Sequence, residues 1–302
     1  MKYFDKDIYI PVLENGDKIY HYTSAAGLYG ICEKEFWITE RHFLNDSSEF
    51  QIGTEVFLQI MKESILNSHI YAEMEKQLRQ ELYCMGEPGK VGEKRAYSGD
   101  YVISFCLDED SALLWSEYSN FMGYCMCFDF EKLLAAFQDR SIFHGTVIYD
   151  HNIQKDCLCK TIDSCFKDQI LGDTITSWEA IKNMKEQEIE EFVIYASVLC
   201  DIYNMFFKKK CFEGKHEYRF IFSCGHDGGR YKDKDLVPQY FRIKDEVFIP
   251  YIKRQLSDLE GLESVTIGPK NKSDIAVRGL QYYFRNKKMN IVVKQSEMPL
   301  RY

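Results

Sequence analysis

Three short constellations in the sequence carry residue types able to act on a bound substrate. In Glu213-Gly214-Lys215-His216-Glu217-Tyr218-Arg219, strand alternation sets Glu217 and Arg219 on one face and His216, Tyr218 and Phe220 on the other. A carboxylate beside a guanidinium stays ionised, and an ionised carboxylate stabilises positive charge that develops on a reacting group. In Tyr20-His21-Tyr22-Thr23-Ser24, alternation sends His21 and Thr23 to one side and Tyr20 and Tyr22 to the other, so His21 is able to point into a cleft. In Leu114-Trp115-Ser116-Glu117-Tyr118, Trp115 and Tyr118 lie three apart and share one side of a helix, an arrangement suited to stacking on a flat ring. Each motif also has a plainer reading: a strand ion pair, a hydrogen-bonded surface histidine, aromatics in a core. The argument for a site rests on their co-occurrence.

The elements that must position them follow from pattern and punctuation. Tyr20–Tyr22 reads as a strand after the Asn15-Gly16-Asp17 turn signal, and Thr23 or Ser24 caps a helix over Ala25–Cys32. Phe36–Thr39 is a second strand, and Asn45-Asp46-Ser47-Ser48-Glu49 opens a helical pattern that continues to about Tyr83. Gly86–Gly99 reads as a loop. Tyr101–Leu107 and Gly123–Phe130 are strands flanking the helix that carries Trp115 and Tyr118, and Phe143–Tyr149 is a further strand. Glu131–Gln138 and the stretch from Ile153 to Phe207 are mostly helical. Strands follow at His216–Ser223, Gln239–Ile243, Ser264–Ile267 and Ile291–Lys294, with helices at about Glu246–Leu259 and Ser273–Phe284 and a turn-rich link at Gly225–Gly229. The irregular mixture favours an α+β fold. With no repeat or linker, residues 1–302 read as one domain with a helical insertion at about 151–207.

Composition narrows the classes of function. A chain of 302 residues that is 45% hydrophobic and 15% aromatic closes a large core. A formal charge of −9 argues against broad nucleic-acid binding but leaves room for a local basic groove. Asp5 and Asp7 interrupt any signal-peptide core. The most apolar stretch, Phe192–Phe207, contains Asp201 and Asn204 and falls short of the roughly 18 to 20 residues that span a bilayer. Eleven cysteines without a regular frame point to free thiols in the cytoplasm. Cys157, Cys159, Cys165 and His151 lack the spacing of structural zinc, so no metal is expected. Phosphate-loop, dinucleotide, zincin and α/β-hydrolase signatures are all missing from the sequence.

The run His21-Tyr22-Thr23-Ser24, Phe36-Trp37-Ile38-Thr39 and Asn45-Asp46-x-x-Glu49 resembles the opening of the bacterial family catalogued as domain of unknown function 2971. The likeness continues in order through Ser104-Phe105, Leu114-Trp115 with Tyr118, Lys208 or Lys209, Glu217-x-Arg219, Pro250-Tyr251-Ile252, Ile267-Gly268-Pro269 and Ser296-x-x-Pro299-x-Arg301. The family's opening in turn looks like that of ADP-ribosyltransferases. That resemblance implies an ADP-ribosyltransferase-like split β-sheet with a central cleft and helical insertions, and NAD as co-substrate. It assigns catalytic roles to Glu217, His21 and Tyr118, and NAD contacts to His21, Tyr22, Thr23, Ser24, Asn45, Asp46, Ser104, Trp115 and Arg219. Between the two aromatics, Tyr118 is expected in the cleft and Trp115 in the core. Asn45 and Asp46 also read as helix-capping residues.

The chemistry is consistent with those roles. Breaking the nicotinamide–ribose bond develops positive charge on the sugar, which a carboxylate such as Glu217 stabilises, and a cationic nicotinamide stacks favourably on an aromatic face. Protein-arginine transferases carry Gln or Glu two residues before the catalytic Glu, and this chain has Lys215 there, which speaks against arginine as acceptor. The expectation is therefore an NAD-dependent ADP-ribosyltransferase, a toxin or anti-phage effector, with RNA, DNA or protein as acceptor and a neutralising antitoxin as partner. The alternatives are an NAD glycohydrolase and a non-enzymatic nucleotide- or partner-binding module on the same fold.

Overall fold

The computed structural model describes residues 2–3, 8–44, 51–86, 100–137, 142–171, 173–223, 240–244, 246–271 and 273–299. Two short strands, β1 (Lys2–Tyr3) and β2 (Pro11–Val12), pair with each other at the start of the chain. The strand β3 (Lys18–Thr23) then leads into helix α1 (Ala25–Cys32), and β4 (Glu35–Glu40) follows. Ser24 is the residue that caps α1, its side chain accepting from the Gly27 backbone N–H.

Next come α2 (Ile52–Ser64), α3 (Ser68–Gly86), β5 (Asp100–Cys106), α4 (Ala112–Ser119), β6 (Tyr124–Asp129), α5 (Phe130–Ala136) and β7 (Ile142–Thr146). The second half contributes α6 (His151–Lys167), α7 (Trp178–Lys182), α8 (Ile189–Asn204), β8 (Glu217–Ser223), β9 (Tyr240–Lys244), β10 (Val247–Gln255), β11 (Leu262–Ile267), α9 (Asp274–Asn286) and β12 (Val292–Gln295). The fold is α+β, built on one large open sheet, as the irregular order of elements in the sequence implies.

The sheet runs β12-β11-β6-β3-β5-β4-β10-β9, with β8 alongside β5 and β7 alongside β8. A strand has two edges, and β8 takes one edge of β5 along its whole length, from Asp100↔Ser223 to Cys106↔Glu217. The other edge is shared. β3 meets it at the single pair Tyr20↔Cys106, and β4 meets it at Thr39↔Val102 and Glu40↔Tyr101. β3 then turns away to pair with β6, and β4 to pair with β10. The sheet therefore forks beside Ile103, Ser104 and Phe105, whose backbone on that edge has no ladder partner among the described residues.

Two cores flank the sheet. One gathers Phe36, Phe105, Phe128, Tyr218 and Phe220 with α1, α5 and α9. The other is helical and includes Phe57, Leu78, Ile162, Phe192 and Tyr203. The helices of the stretch 151–207 do not stand apart in it: α6 and α8 pack on α2 and α3 from the first half of the chain. At the α2–α8 crossing a side chain on Gly53 would meet the Asn204 backbone nitrogen at 2.6 Å, so only glycine lets these backbones approach. Asn204 locks the crossing, accepting from the Thr54 N–H and donating to the Thr54 hydroxyl, both at 2.9 Å.

Two expectations from the sequence are corrected. The helical pattern read as continuous to about Tyr83 is two helices, because Ile65 turns extended (φ −80°, ψ 119°) and Asn67 accepts from the N–H groups of His69 and Ile70 to start a new one. The stretch read as a helix from Glu246 to Leu259 is strand β10. Val247, Ile249, Tyr251 and Ile252 are strand formers, and pairing to β4 and β9 overrides the helical pattern. Pro250 is tolerated because it pairs with Phe241 of β9 one residue before the β4 ladder begins. The turn-rich link at Gly225–Gly229 and most of the loop at Gly86–Gly99 lie outside the described residues.

Among the described residues no helix is long and apolar enough to cross a membrane.

Candidate active site at the fork in the sheet

A cavity of about 470 Å³ lies over the fork, within the size range of small-molecule sites. His21, Tyr22, Thr23 and Ser24 reach it from the end of β3, Ser104 from β5, Tyr118 from α4, and Glu217 and Arg219 from β8. Residues about 200 positions apart thus share one wall. Trp115 does not line it. Its indole is fully buried, donates from Nε1 to Asp110 at 2.6 Å and meets the Tyr22 ring edge-on at 4.8 Å. The role in NAD contact implied for Trp115 is corrected accordingly, because the helix turns it inward with Leu114 while Tyr118 stays 40% exposed at the rim. Asn45 and Asp46 lie outside the described residues.

Glu217 is 4% exposed and doubly engaged. Its Oε1 accepts from Lys208 Nζ at 2.7 Å, and its Oε2 accepts from Arg219 at 3.1 Å (Nε) and 2.9 Å (Nη2). The Ser104 hydroxyl adds a long contact at 3.5 Å. Burial by itself raises the pKa of this carboxyl, but the adjacent Arg219 and Lys208 charges outweigh it and hold the value at about 2. Arg219 also donates to the Met205 carbonyl at 2.8 Å, and the Glu217 backbone N–H donates to the Tyr149 hydroxyl at 3.0 Å. The side chain that carries the negative charge is therefore fixed from both ends, and with its two cations it sums to +1.

His21 fills the fork. Its Nδ1 lies 3.2 Å from the Ser104 carbonyl, one of the β5 groups that neither β3 nor β4 reaches. A carbonyl only accepts, so Nδ1 carries the proton and Nε2 is left as an acceptor. The ring packs 5.2 Å from Phe105 and 5.8 Å from Phe36. Burial lowers its pKa to about 4, opposed by the Ser104 contact and helped by the Arg242 charge, so the ring is neutral at pH 7.

Other lining residues were not singled out as site residues in the sequence. Lys208 opens the run Lys208-Lys209-Lys210, yet it is 4% exposed and lines the cavity. The signal was its setting, directly after Met205-Phe206-Phe207 and close to Phe212. Lys215, the residue that departs from the transferase pattern, is buried, pairs with Glu117 at 2.7 Å and lies 5.9 Å from the Tyr118 ring centroid. Arg242 projects from β9; its Nη2 donates to Thr39 Oγ1 at 2.9 Å, while its buried Nε has no partner. No carboxylate among the described residues pairs with it, and burial lowers its pKa. Nothing in the local sequence distinguishes Arg242 from any strand arginine.

Among the described residues the lining holds five cationic side chains, Lys208, Lys215, Arg219, Arg242 and Lys244, and one carboxylate, Glu217. In a chain of charge −9 this is a concentrated positive field. Such a cleft suits an anionic ligand that also carries flat, apolar parts. Among the described residues no group of three or more His, Cys, Asp or Glu is placed to hold a metal ion. Cys157, Cys159 and Cys165 lie along α6, away from the cleft.

A family model described as "Protein of unknown function (DUF2971)" matches residues 114–220, the segment that contains Tyr118, Lys208, Glu217 and Arg219. The match bears out the family likeness read from the sequence. No curated protein and no solved structure matches the chain.

Proposed function

With residues 114–220 belonging to the family of unknown function DUF2971, we propose that the cleft binds NAD and that the protein transfers ADP-ribose from it to a macromolecular acceptor. The observation that carries this reading is the convergence of His21, Tyr118 and Glu217 on one cation-rich cavity at a fork in the sheet. On this reading the open sheet is a split sheet of the ADP-ribosyltransferase type.

The residues divide the work by their chemistry. Arg242 has no carboxylate partner among the described residues and suits a pyrophosphate. The neutral His21 offers Nε2 as an acceptor for an amide N–H of nicotinamide. The exposed Tyr118 ring offers a face for the cationic nicotinamide, a contact worth roughly 0.5 to 2 kcal/mol. As the bond between the nicotinamide nitrogen and ribose breaks, its electron pair leaves with nicotinamide, which becomes neutral. Positive charge then builds on the sugar, and the ionised Glu217 stabilises it. The acceptor's nucleophilic atom closes the new bond to the sugar and gives up its proton. With pKa values of about 4 and about 2, His21 and Glu217 are both too weak as bases to hold that proton at neutral pH, so it passes to solvent.

One observation favours a second reading. Both Glu217 oxygens are already held by cations, so a cation developing on the sugar would compete with Lys208 and Arg219 for the same carboxylate. A module that binds a nucleotide without breaking it accounts for this equally well. Incubating the pure protein with NAD labelled in the ADP-ribose part separates the readings. Label on a macromolecule supports transfer, free ADP-ribose supports hydrolysis, and intact NAD with calorimetric binding supports the second reading. A toxin or anti-phage role extends the first reading. It is tested by growth arrest on expression that depends on Glu217.

A further inference from the structure

Beside the cleft, three rings from three adjacent strands form a stack. Trp37 of β4 lies 4.7 Å from Tyr251 of β10, with ring planes 23° apart, and Tyr251 lies 5.6 Å from Tyr240 of β9, at 27°. The register puts Tyr251 opposite both Thr39 and Tyr240, so the stack occupies the same face of the sheet as Thr39 and Arg242. Tyr251 is sandwiched and buried, while Trp37 is 44% and Tyr240 40% exposed. Singly exposed aromatics are common and this molecule has others, but rings stacked across three adjacent strands make one contiguous flat face. Trp37 itself lines the cavity, together with Arg242 and Lys244. Lys253 spans the stack, 4.7 Å from the Tyr240 centroid and 5.9 Å from that of Trp37.

We infer that this strip is the acceptor subsite, and that it takes a single-stranded nucleic acid whose bases stack on Trp37 and Tyr240 while Lys244 meets its phosphates. The inference rests on the transfer reading for its purpose, but not for its test. Open aromatic faces take bases of any identity, and cations without carboxylate partners among the described residues meet a phosphate backbone. A peptide acceptor supplies neither a run of planar rings nor a regular row of anions. A duplex hides its base faces in its own stack, so a single strand is selected. The net charge of −9 limits the contact to this strip and the cleft mouth.

The test is fluorescence anisotropy of a labelled 20-nucleotide single strand, DNA and RNA in turn, against the same DNA as a duplex, with no NAD present. Single strands should bind at least ten times more tightly than duplex. Trp37→Ala and Tyr240→Ala should each weaken binding by about 5- to 100-fold. Trp37→Phe keeps a ring on Tyr251 and should stay within about threefold of the unaltered protein, which separates stacking from a folding defect. Lys244→Gln should lower the slope of log affinity against log salt by about one. Equal affinity for duplex, indifference to Trp37→Ala, or no binding at physiological salt overturns the inference. NAD turnover without strand binding overturns this inference alone, and strand binding without NAD turnover overturns the transfer reading alone.

Discussion

Two buried ion clusters in this molecule are near mirror images in charge. At the cleft, one carboxylate, Glu217, sits between Lys208 and Arg219. At the join between the sheet and the helical core, one guanidinium, Arg41, sits between Asp100 and Asp201, at 2.8 Å from each. Both are shielded from water, but Arg41 ties together segments far apart in sequence, whereas Lys208, Glu217 and Arg219 are close neighbours in the chain. The difference is what lies beside them. Glu217, Lys208 and Arg219 line a cavity whose other charged groups among the described residues are cations, whereas Arg41, Asp100 and Asp201 do not line it. The comparison separates two uses of the same interaction. Arg41 joins β4 and β5 to α8, whereas the Glu217 cluster sets the field of a binding site.

Breaking each cluster should expose that difference. The largest effect is expected for Arg41→Met, which leaves Asp100 and Asp201 buried without their shared guanidinium. Loss of one partner from a buried ion cluster costs about 3 to 5 kcal/mol, or a fall in melting temperature on the order of 10 °C in a chain of this size. Calorimetry should show that fall, with NAD affinity unchanged well below the transition. Weakened NAD binding in the folded protein would mean that the two clusters are not independent.

Glu217→Gln comes next. Transfer should fall by roughly 10²-fold or more, as expected when one electrostatic contact to the transition state is removed. The variant should also melt earlier, because Lys208 and Arg219 lose their counter-charge, so activity is compared at a temperature where circular dichroism shows both proteins folded. Acid provides an independent check. The folded pKa of Glu217 is depressed to about 2, so its contribution is present above the unfolded value of about 4.3 and is lost as pH falls from there towards 2. The contribution is about 3 kcal/mol. Denaturant titrations between pH 5 and 3 should show unaltered protein losing stability faster than Glu217→Gln. Parallel curves would remove Glu217 from the account.

A smaller contrast separates the two aromatics of α4. Trp115→Leu reshapes a packed site and should cost about 1 to 3 kcal/mol with no change in NAD affinity. Tyr118→Leu should leave the melting temperature within a few degrees and raise the NAD concentration required. A Tyr118→Leu protein that melts early and binds NAD normally would move the nicotinamide site elsewhere. The smallest effect is expected for Arg242→Gln: about tenfold weaker binding of ADP or pyrophosphate, with stability unchanged or slightly raised because a partly buried cation without a carboxylate partner has been removed. Unchanged anion affinity would assign the anion to Lys208 and Lys215 instead.

The sequence made much of the site legible because the relevant signals were local. Alternation in β8 put Glu217 and Arg219 on one face, with Tyr218 and Phe220 in the core opposite. The i, i+3 spacing in α4 brought Trp115 and Tyr118 to one side, and the apolar run before them indicated which would be core. Less local features were misread. The burial of Lys208 was masked by its triple-lysine run, because it depends on the chain folding back to bring Phe212 and Glu217 against the ammonium. Arg242 gave no signal, since what sets it apart is that no carboxylate among the described residues pairs with it. The β10 segment read as a helix because pairing with β4 and β9 is a long-range term that no window of sequence contains.

By itself, then, the sequence determined the α+β class, the caps and alternation of the elements, and the residue types at the cleft. These follow from propensity and periodicity acting over a few residues. Only the tertiary structure decided that β3 and β4 share one edge of β5 and part beside Ser104. The fork gives His21 a backbone carbonyl to bond and leaves a cavity into which five cations turn. A strand's edge carries a fixed number of hydrogen-bonding groups, and which neighbours claim them is settled by packing among all the strands together.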